Sequence, residues 1–365
     1  MVSPELQNLL ELGNKGKSYS KALGATLSSG VAFKSRANPI IGLKMARIYG
    51  SPVLLSGMSS LVLSSSDIAI IDQHFKDTYQ NLQKLHQRTP RSVVFFLGGS
   101  LPAQALLHLR MLSLFGMVAR LPGDVLNIRA RDALISKKPK SKSWFCQIRD
   151  ICLTYNLPHP LRLLDFPPSK DNMKKLTTAR VLSYWETKLR GEASLLPSLQ
   201  NFKPEFMSSK TPHLIWRTVG SNPYEVSKAI QQARFLSGRY RSSYLERHFT
   251  QNREGVCINC NSGELETIEH ILISCNAFTE TKKKLYKLWL STKLPIVYEL
   301  VLTALSSDKS YLLQFLLDCS VLPAVVRAAQ SHSCEIYKEL FYLTRTWCFA
   351  IHRQGMRKLG RWNFQ

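Results

Sequence analysis

The chain has 365 residues, 44% of them hydrophobic, with 49 Lys+Arg against 25 Asp+Glu and a formal net charge of +24. The apolar share excludes global disorder, and the length allows two or three domains with a sizeable core. The cationic surplus is spread along the chain rather than gathered in a tail, which makes polyanions the expected partners.

Helical periodicity dominates. Pro39 to Tyr49 reads as a helix opened by Asn38. After Ser66-Asp67, read as a cap pair, Ile68, Ile71, Phe75, Tyr79, Leu82 and Leu85 fall three or four apart and predict a helix that ends before Pro90. Ser92 to Leu97 is the best strand candidate in a chain with few alternating patterns. Ser100-Leu101-Pro102 opens a helix to about Arg120, whose wide apolar face (Leu106, Leu109, Leu112, Leu114, Phe115, Val118) suits a central position. The segment 136–143, with four lysines and no apolar residue, reads as an exposed basic linker and resembles a short nuclear-import signal. Helices resume at Trp144–Tyr155 and Ser169–Arg190, with Pro158, Pro160, Pro167 and Pro168 marking the turns between them. Leu195 to Asn222 is loop-rich, and a helix from Pro223 through Arg247 follows. The most apolar stretch, Tyr311 to Val326, is interrupted by Gln314, Asp318, Ser320 and Pro323, so no membrane span is expected. The fold class is therefore mainly α: multi-helix subdomains with a small Cys3His zinc-binding element and little β.

Cys257, Cys260, His270 and Cys275 form a C-x2-C-x9-H-x4-C box. Three thiolates and one imidazole are the ligand set of a closed tetrahedral Zn2+ site, structural rather than catalytic because no position is left for water. Asn259, Asn261, Ser262 and Gly263 are turn formers, while Leu265, Ile268, Ile271 and Leu272 recur at helical spacing and place His270 on a short helix. His270 and Cys275 are five residues apart and would diverge on a straight α-helix, so the helix is expected to end near Ser274 with Cys275 folding back. The remaining cysteines (Cys146, Cys152, Cys319, Cys334 and Cys348) sit among apolar neighbours, which fits a reducing compartment. The opening Met1-Val2-Ser3-Pro4 lacks a secretory pattern, so an intracellular protein is expected, nuclear slightly ahead of cytoplasmic.

The flanks of the box are basic and aromatic. Arg234, Arg239, Tyr240, Arg241, Tyr244 and Arg247 precede it, Lys282, Lys283 and Lys284 follow it, and Arg353, Arg357, Lys358 and Arg361 lie near the end of the chain. Cations of this kind neutralise phosphates and aromatic rings stack on unpaired bases, so RNA and/or DNA is the expected partner. Phe235 and Trp347 are read as core residues rather than stacking platforms.

The run Arg239-Tyr240-Arg241-Ser242-Ser243-Tyr244, followed by Cys257-x2-Cys260 and then Glu266-Thr267-Ile268-Glu269-His270 to Cys275, resembles the C-terminal region of LINE-type (non-LTR) retrotransposon reverse transcriptases. Gly16-Lys17-Ser18-Tyr19-Ser20, Leu97 to Pro102, Leu112 to Gly116, Ser143-Trp144-Phe145 and Tyr342 to Trp347 are similar to the same region in the same order. The resemblance implies a helical thumb-like region over 1–135, the linker 136–143, a helical connector over 144–250, a CCHC zinc-binding element over 251–292 and a basic helical region over 293–365. It also implies a module that grips template RNA and target DNA. The family's polymerase chemistry needs paired palm aspartates holding two metal ions, and this chain has no Asp-Asp pair. A non-enzymatic nucleic-acid-binding fragment is the leading expectation. The alternatives are an accessory role in reverse transcription beside a palm-bearing partner and a helical protein-interaction scaffold with a structural zinc.

Overall fold

The structure, a computed structural model, describes residues 37–136, 143–240, 242–246, 254–260 and 262–358. It is 74% helical and 1% strand with no sheet, and the strand content is the isolated antiparallel bridge Val256–Leu265. Helix α1 (Pro39–Met45) starts at Asn38, whose side chain accepts from Ile40 N, and passes into a π turn over Ala46–Gly50 before α2 (Ser51–Leu55). α3 (Ser65–Leu82) buries Ile71, Phe75, Tyr79 and Leu82, the stripe that the spacing predicts. Its cap lies two residues earlier than expected: Ser64 accepts from Asp67 N while the Asp67 carboxylate accepts from Ser64 N, a reciprocal capping box.

The strand expected at Ser92–Leu97 is instead helix α4 (Arg91–Gly98). Val93, Val94, Phe95, Phe96 and Leu97 are each no more than 1% exposed. A short apolar run buried on all sides reads alike as strand or helix, and here Pro90 at one end and Gly99 at the other decide for helix. Gly99 has φ +59, and a Cβ there would meet the Thr211 backbone at 2.0 Å, so only glycine fits this stop. α5 (Ala103–Ala119) follows and is central as predicted, packing on α3, α6 (Val125–Ser136), α7 (Trp144–Thr154), α8 (Pro160–Asp165) and the long α9 (Lys170–Ser194). Residues 137–142 of the expected linker lie outside the described residues, and the helices on either side of them, α6 and α7, pack against each other.

α10 (Leu214–Arg217) leads to α11 (Pro223–Leu236). The helix expected to continue to Arg247 stops here, because the chain turns at Gly238, with φ +62 and the Ser198 carbonyl 2.0 Å from where a Cβ would stand. A single further turn, α12 (Ser243–Glu246), precedes the Cys/His box. Beyond the box lie α13 (Thr279–Leu290), α14 (Pro295–Ser306), α15 (Lys309–Asp318) and the 36-residue α16 (Pro323–Lys358). The packing of α11 along α16 is the most extensive helix pair, and one continuous hydrophobic core runs from Leu43 to Ile351. Phe235 and Trp347 belong to it, at 1% and 0% exposure. The segment Lys309–Gln330 is long and apolar enough to cross a membrane by composition, and 67% of its apolar window is buried inside the fold.

Backbone polar groups tie the two ends of this core together. Asn38 donates to the carbonyls of Trp216 and Val219, Trp216 Nε1 donates to Gln83 Oε1, and His213 N donates to Leu97 O. His213 then meets the fully buried Asp318 at 3.2 Å.

Candidate metal centre and its basic surroundings

The four box residues come together. Their ligand atoms all lie within 4.8 Å of one another, with Cys257, His270 and Cys275 buried and Cys260 half-buried. Cys257 and Cys260 sit on a loop whose stem is the Val256–Leu265 bridge, closed by Cys257 N to Glu264 O (2.8 Å) and Glu266 N to Gly255 O (2.9 Å). Gly255 and Gly263 take positive φ values of 77° and 75°, which lets the chain reverse in so few residues. The helical turn then opens with Thr267, which accepts from His270 N through its hydroxyl and from Ile271 N through its carbonyl.

His270–Ser274 is a π turn, in which Cys275 N donates to His270 O across five residues at 2.7 Å. This resolves the spacing problem that the sequence posed. The turn ends at Ser274 as expected, and its wider pitch returns Cys275 to the side of His270, where an α-helical turn would carry it past.

The geometry fits zinc. A tetrahedral ion with Zn–S bonds of about 2.3 Å sets its sulfurs roughly 3.8 Å apart; Cys257 Sγ and Cys275 Sγ are 3.8 Å apart, and Cys260 Sγ lies 3.3 Å from His270 Nε2. His270 Nδ1 meets the Glu264 carboxylate at 2.6 Å. That contact orients the ring with Nε2 toward the sulfurs, the carboxylate–histidine arrangement of zinc sites. Glu264 was not singled out by the sequence, since its six-residue separation from His270 has no regular period. The thiols differ in their environments: burial pushes Cys257 up and Cys275 up to about 12. For Cys260 burial acts in the same direction, but hydrogen bonds from Ser262 and His270 outweigh it and bring the thiol down to about 6.

The element is bolted to the rest of the protein on three sides. Trp347 Nε1, on α16, donates to Leu272 O at 3.1 Å. The buried Glu266 carboxylate accepts from Ser243 N (2.5 Å) and from Asn259 Nδ2 (2.9 Å), coupling α12 to the loop between the first two cysteines. Lys282 Nζ donates to Ile273 O (2.5 Å) and Cys275 O (2.9 Å), stopping the π turn from α13.

That last contact corrects the reading of the basic set. Lys282 is 7% exposed and its ammonium serves two carbonyls inside the protein, so it is not presented to phosphate. Burial lowers its pKa, while the nearby Cys275 and Cys260 sulfurs act the other way. Arg234 is likewise committed, with Nε donating to Lys84 O at 3.0 Å. Tyr240 stacks on Phe235 with ring centres 3.8 Å apart, and its hydroxyl meets His352 Nδ1 at 2.9 Å, so its ring is not a stacking platform for bases. In each case a cationic or aromatic residue at an element junction finds internal acceptors or rings. Lys283 and Lys284 are exposed, as is Lys287 one turn on. Tyr244, Arg239 and Arg353 are half-buried. Arg241, Arg247 and Arg361, like Gly16 to Ser20, lie outside the described residues, as do the side chains of Arg357 and Lys358 at the end of α16.

Lys282→Met, which keeps the apolar stem and removes the ammonium, should destabilise the protein by about 1.5–3 kcal/mol, the range for hydrogen bonds from a charged group. Urea unfolding checks this, and an unchanged midpoint would show that the two carbonyls find other donors.

Comparison of the chain with protein-family models, with curated proteins and with solved structures finds no match.

Proposed function

We propose that this chain is a zinc-stabilised nucleic-acid-binding segment, related to the C-terminal part of a LINE-type reverse transcriptase, that holds an RNA or DNA strand by its phosphates. The observation that carries this reading is the surface beside the metal centre. α13 follows the Cys/His element directly and exposes Lys283, Lys284 and Lys287, of which, among the described residues, only Lys283 forms an ion pair, with Glu280. On α9, Lys170, Lys174, Lys175 and Arg180 are exposed as well. With a net charge of +24 there are too few acids to neutralise these faces, and the sequence resemblance points to the same kind of partner. Binding of this kind is phosphate-directed, steeply salt-dependent and weakly sequence-selective.

Fluorescence anisotropy with single-stranded RNA and DNA over a salt series tests it. The slope of log affinity against log salt should be strongly negative, and Lys284→Ala and Lys287→Ala should each reduce its magnitude by about one. No binding at low salt, or binding indifferent to salt, would overturn the reading.

A role beside a palm-bearing polymerase partner is favoured by a different surface. Leu121, on the turn before α6, and Val125, Leu126 and Ile128, in its first turns, are 51–62% exposed, more apolar surface than a strand of phosphates needs. Primer extension by such a polymerase with and without this chain decides it; absence of stimulation removes the idea.

A further inference from the structure

Where α11, the Cys/His element and α16 meet, the protein keeps a cavity of about 250 Å³ that opens to solvent. Its walls are mostly apolar, with Ile258, Ile271, Phe278 and Met356 among them. Three polar atoms on this wall are buried and have no hydrogen-bond partner among the described residues: Gln231 Oε1 on α11, Arg239 Nε on the turn after it, and Asn259 Oδ1 on the loop between Cys257 and Cys260. Buried polar groups are nearly always satisfied, so three on one cavity mark a place where a ligand completes the set. Their roles are constrained. Asn259 Nδ2 already donates to Glu266, which fixes Oδ1 as an acceptor, and an arginine Nε can only donate. The Gln231 amide can turn to offer either.

Apolar walls around a few convergent polar atoms are the usual form of a small-ligand site, and this volume is at the small end of such pockets. A fixed acceptor, a fixed donor and an adaptable amide suit the edge of a nucleobase, which offers both donors and acceptors in one plane. The charged groups on the wall are Arg234 and Arg239 against Glu266, whose carboxylate is already engaged by Ser243 N and Asn259. Arg234 spends its Nε on Lys84 O, so it is the Arg239 guanidinium that suits an attached phosphate. We propose that this cavity receives one unpaired base of the bound strand, giving the metal element a direct part in holding nucleic acid. The inference rests on the nucleic-acid reading above and adds to it a discrete base site.

Gly355 on α16 offers a test that leaves the polar groups alone. A Cβ there would stand 3.5 Å from the Phe278 ring and 3.9 Å from Asn259 Oδ1, ordinary contacts, so Gly355→Ala adds bulk at the cavity wall without a clash. Alanine is also the better helix former, and folding should be retained. Gly355→Leu extends further into the same space. Anisotropy is measured for the full chain and both variants, on a single-stranded oligonucleotide and on an abasic strand of equal length. Gly355→Leu should weaken binding of the base-bearing strand about tenfold, the scale of one stacked base, with Gly355→Ala weakening it less and neither changing the abasic strand. Equal weakening on both strands, or no change on either, overturns the base site while leaving the phosphate grip standing. Failure of the unmodified protein to bind either strand overturns the nucleic-acid reading, and the base site with it.

Discussion

Cys257→Ser should abolish metal binding at the Cys/His cluster and, with it, the order of the segment between Glu254 and Phe278. That segment has little core of its own. Among its described residues Ile271, Leu272 and Phe278 are the buried apolar side chains apart from the cysteines, and the only β structure is one bridge. In small elements of this kind the metal supplies on the order of 10 kcal/mol of apparent folding free energy. Here Trp347, Lys282 and Ser243 hold the element from outside, so its loss should be local rather than global. The protein as purified should contain one zinc per chain by elemental analysis, and Cys257→Ser or a strong chelator should remove it. Amide exchange should then accelerate from 254 to 278 and at the facing turns of α16, while α3 to α9 stay protected. Metal capture requires deprotonated sulfurs, and burial holds Cys257 and Cys275 up as thiols, so uptake should release protons and weaken as pH falls. Unchanged exchange after chelation would show that the four side chains are packed without needing the ion.

The metal centre was the most legible part of the sequence, because three thiols and an imidazole at such short spacing form a zinc ligand set in themselves. What the spacing could not supply was the device that joins His270 to Cys275. A π turn has no residue signature, and here it is held by Lys282 and by Trp347, which lies 75 residues along the chain from the carbonyl it binds. The helices were legible wherever apolar residues recur on one face, as in α3 and α5. They were not where burial is complete: Val93 to Leu97 is apolar on every side, so periodicity carries no information and the glycine stop at Gly99 decides. The basic set was legible as composition but not as surface. Arg234, Tyr240 and Lys282 look like Lys283 and Lys284 in the sequence, and only the packing of α11 and α13 separates those that serve internal carbonyls and rings from those that face solvent. The cavity could not be read as a site, since Gln231 and Arg239, Asn259, and Gly355 come from three separate stretches.

Acid should unfold this protein through two histidines that have no part in the metal site. His108 lies on α5, where Trp185 Nε1 donates to the Tyr155 hydroxyl at 2.9 Å and that hydroxyl meets His108 Nδ1 at 2.7 Å. Buried in this way, the imidazole disfavours the charged form. His352, on α16, meets the Tyr240 hydroxyl at 2.9 Å, with Arg234 nearby. Burial pulls each imidazole from the ordinary 6.5 down to about 4, and at His352 the Arg234 charge adds to it. Between those pH values the unfolded chain binds protons that the folded chain does not, so stability rises with pH across the window and falls as it is acidified. Above 6.5 the two groups contribute no slope, and below 4 their penalty is complete. A shift of this size is worth about 3 kcal/mol per histidine, roughly 6 kcal/mol for both, a large part of the 5–15 kcal/mol of an ordinary domain. Asp318 acts just below this window: His213 and Ser320 outweigh its burial and hold its carboxyl under 3.8, so its contribution is lost only as pH falls further. Urea unfolding at pH 7 and pH 4.5 measures the loss. His108→Gln keeps an acceptor for Tyr155 without a titrating group, and should remove about half of the slope. His108 is far in the fold from Cys257 and its partners, so that variant separates the histidine effect from acid release of the metal. An unchanged slope in His108→Gln would remove His108 as a source and leave the acid sensitivity to His352 and the Cys/His cluster.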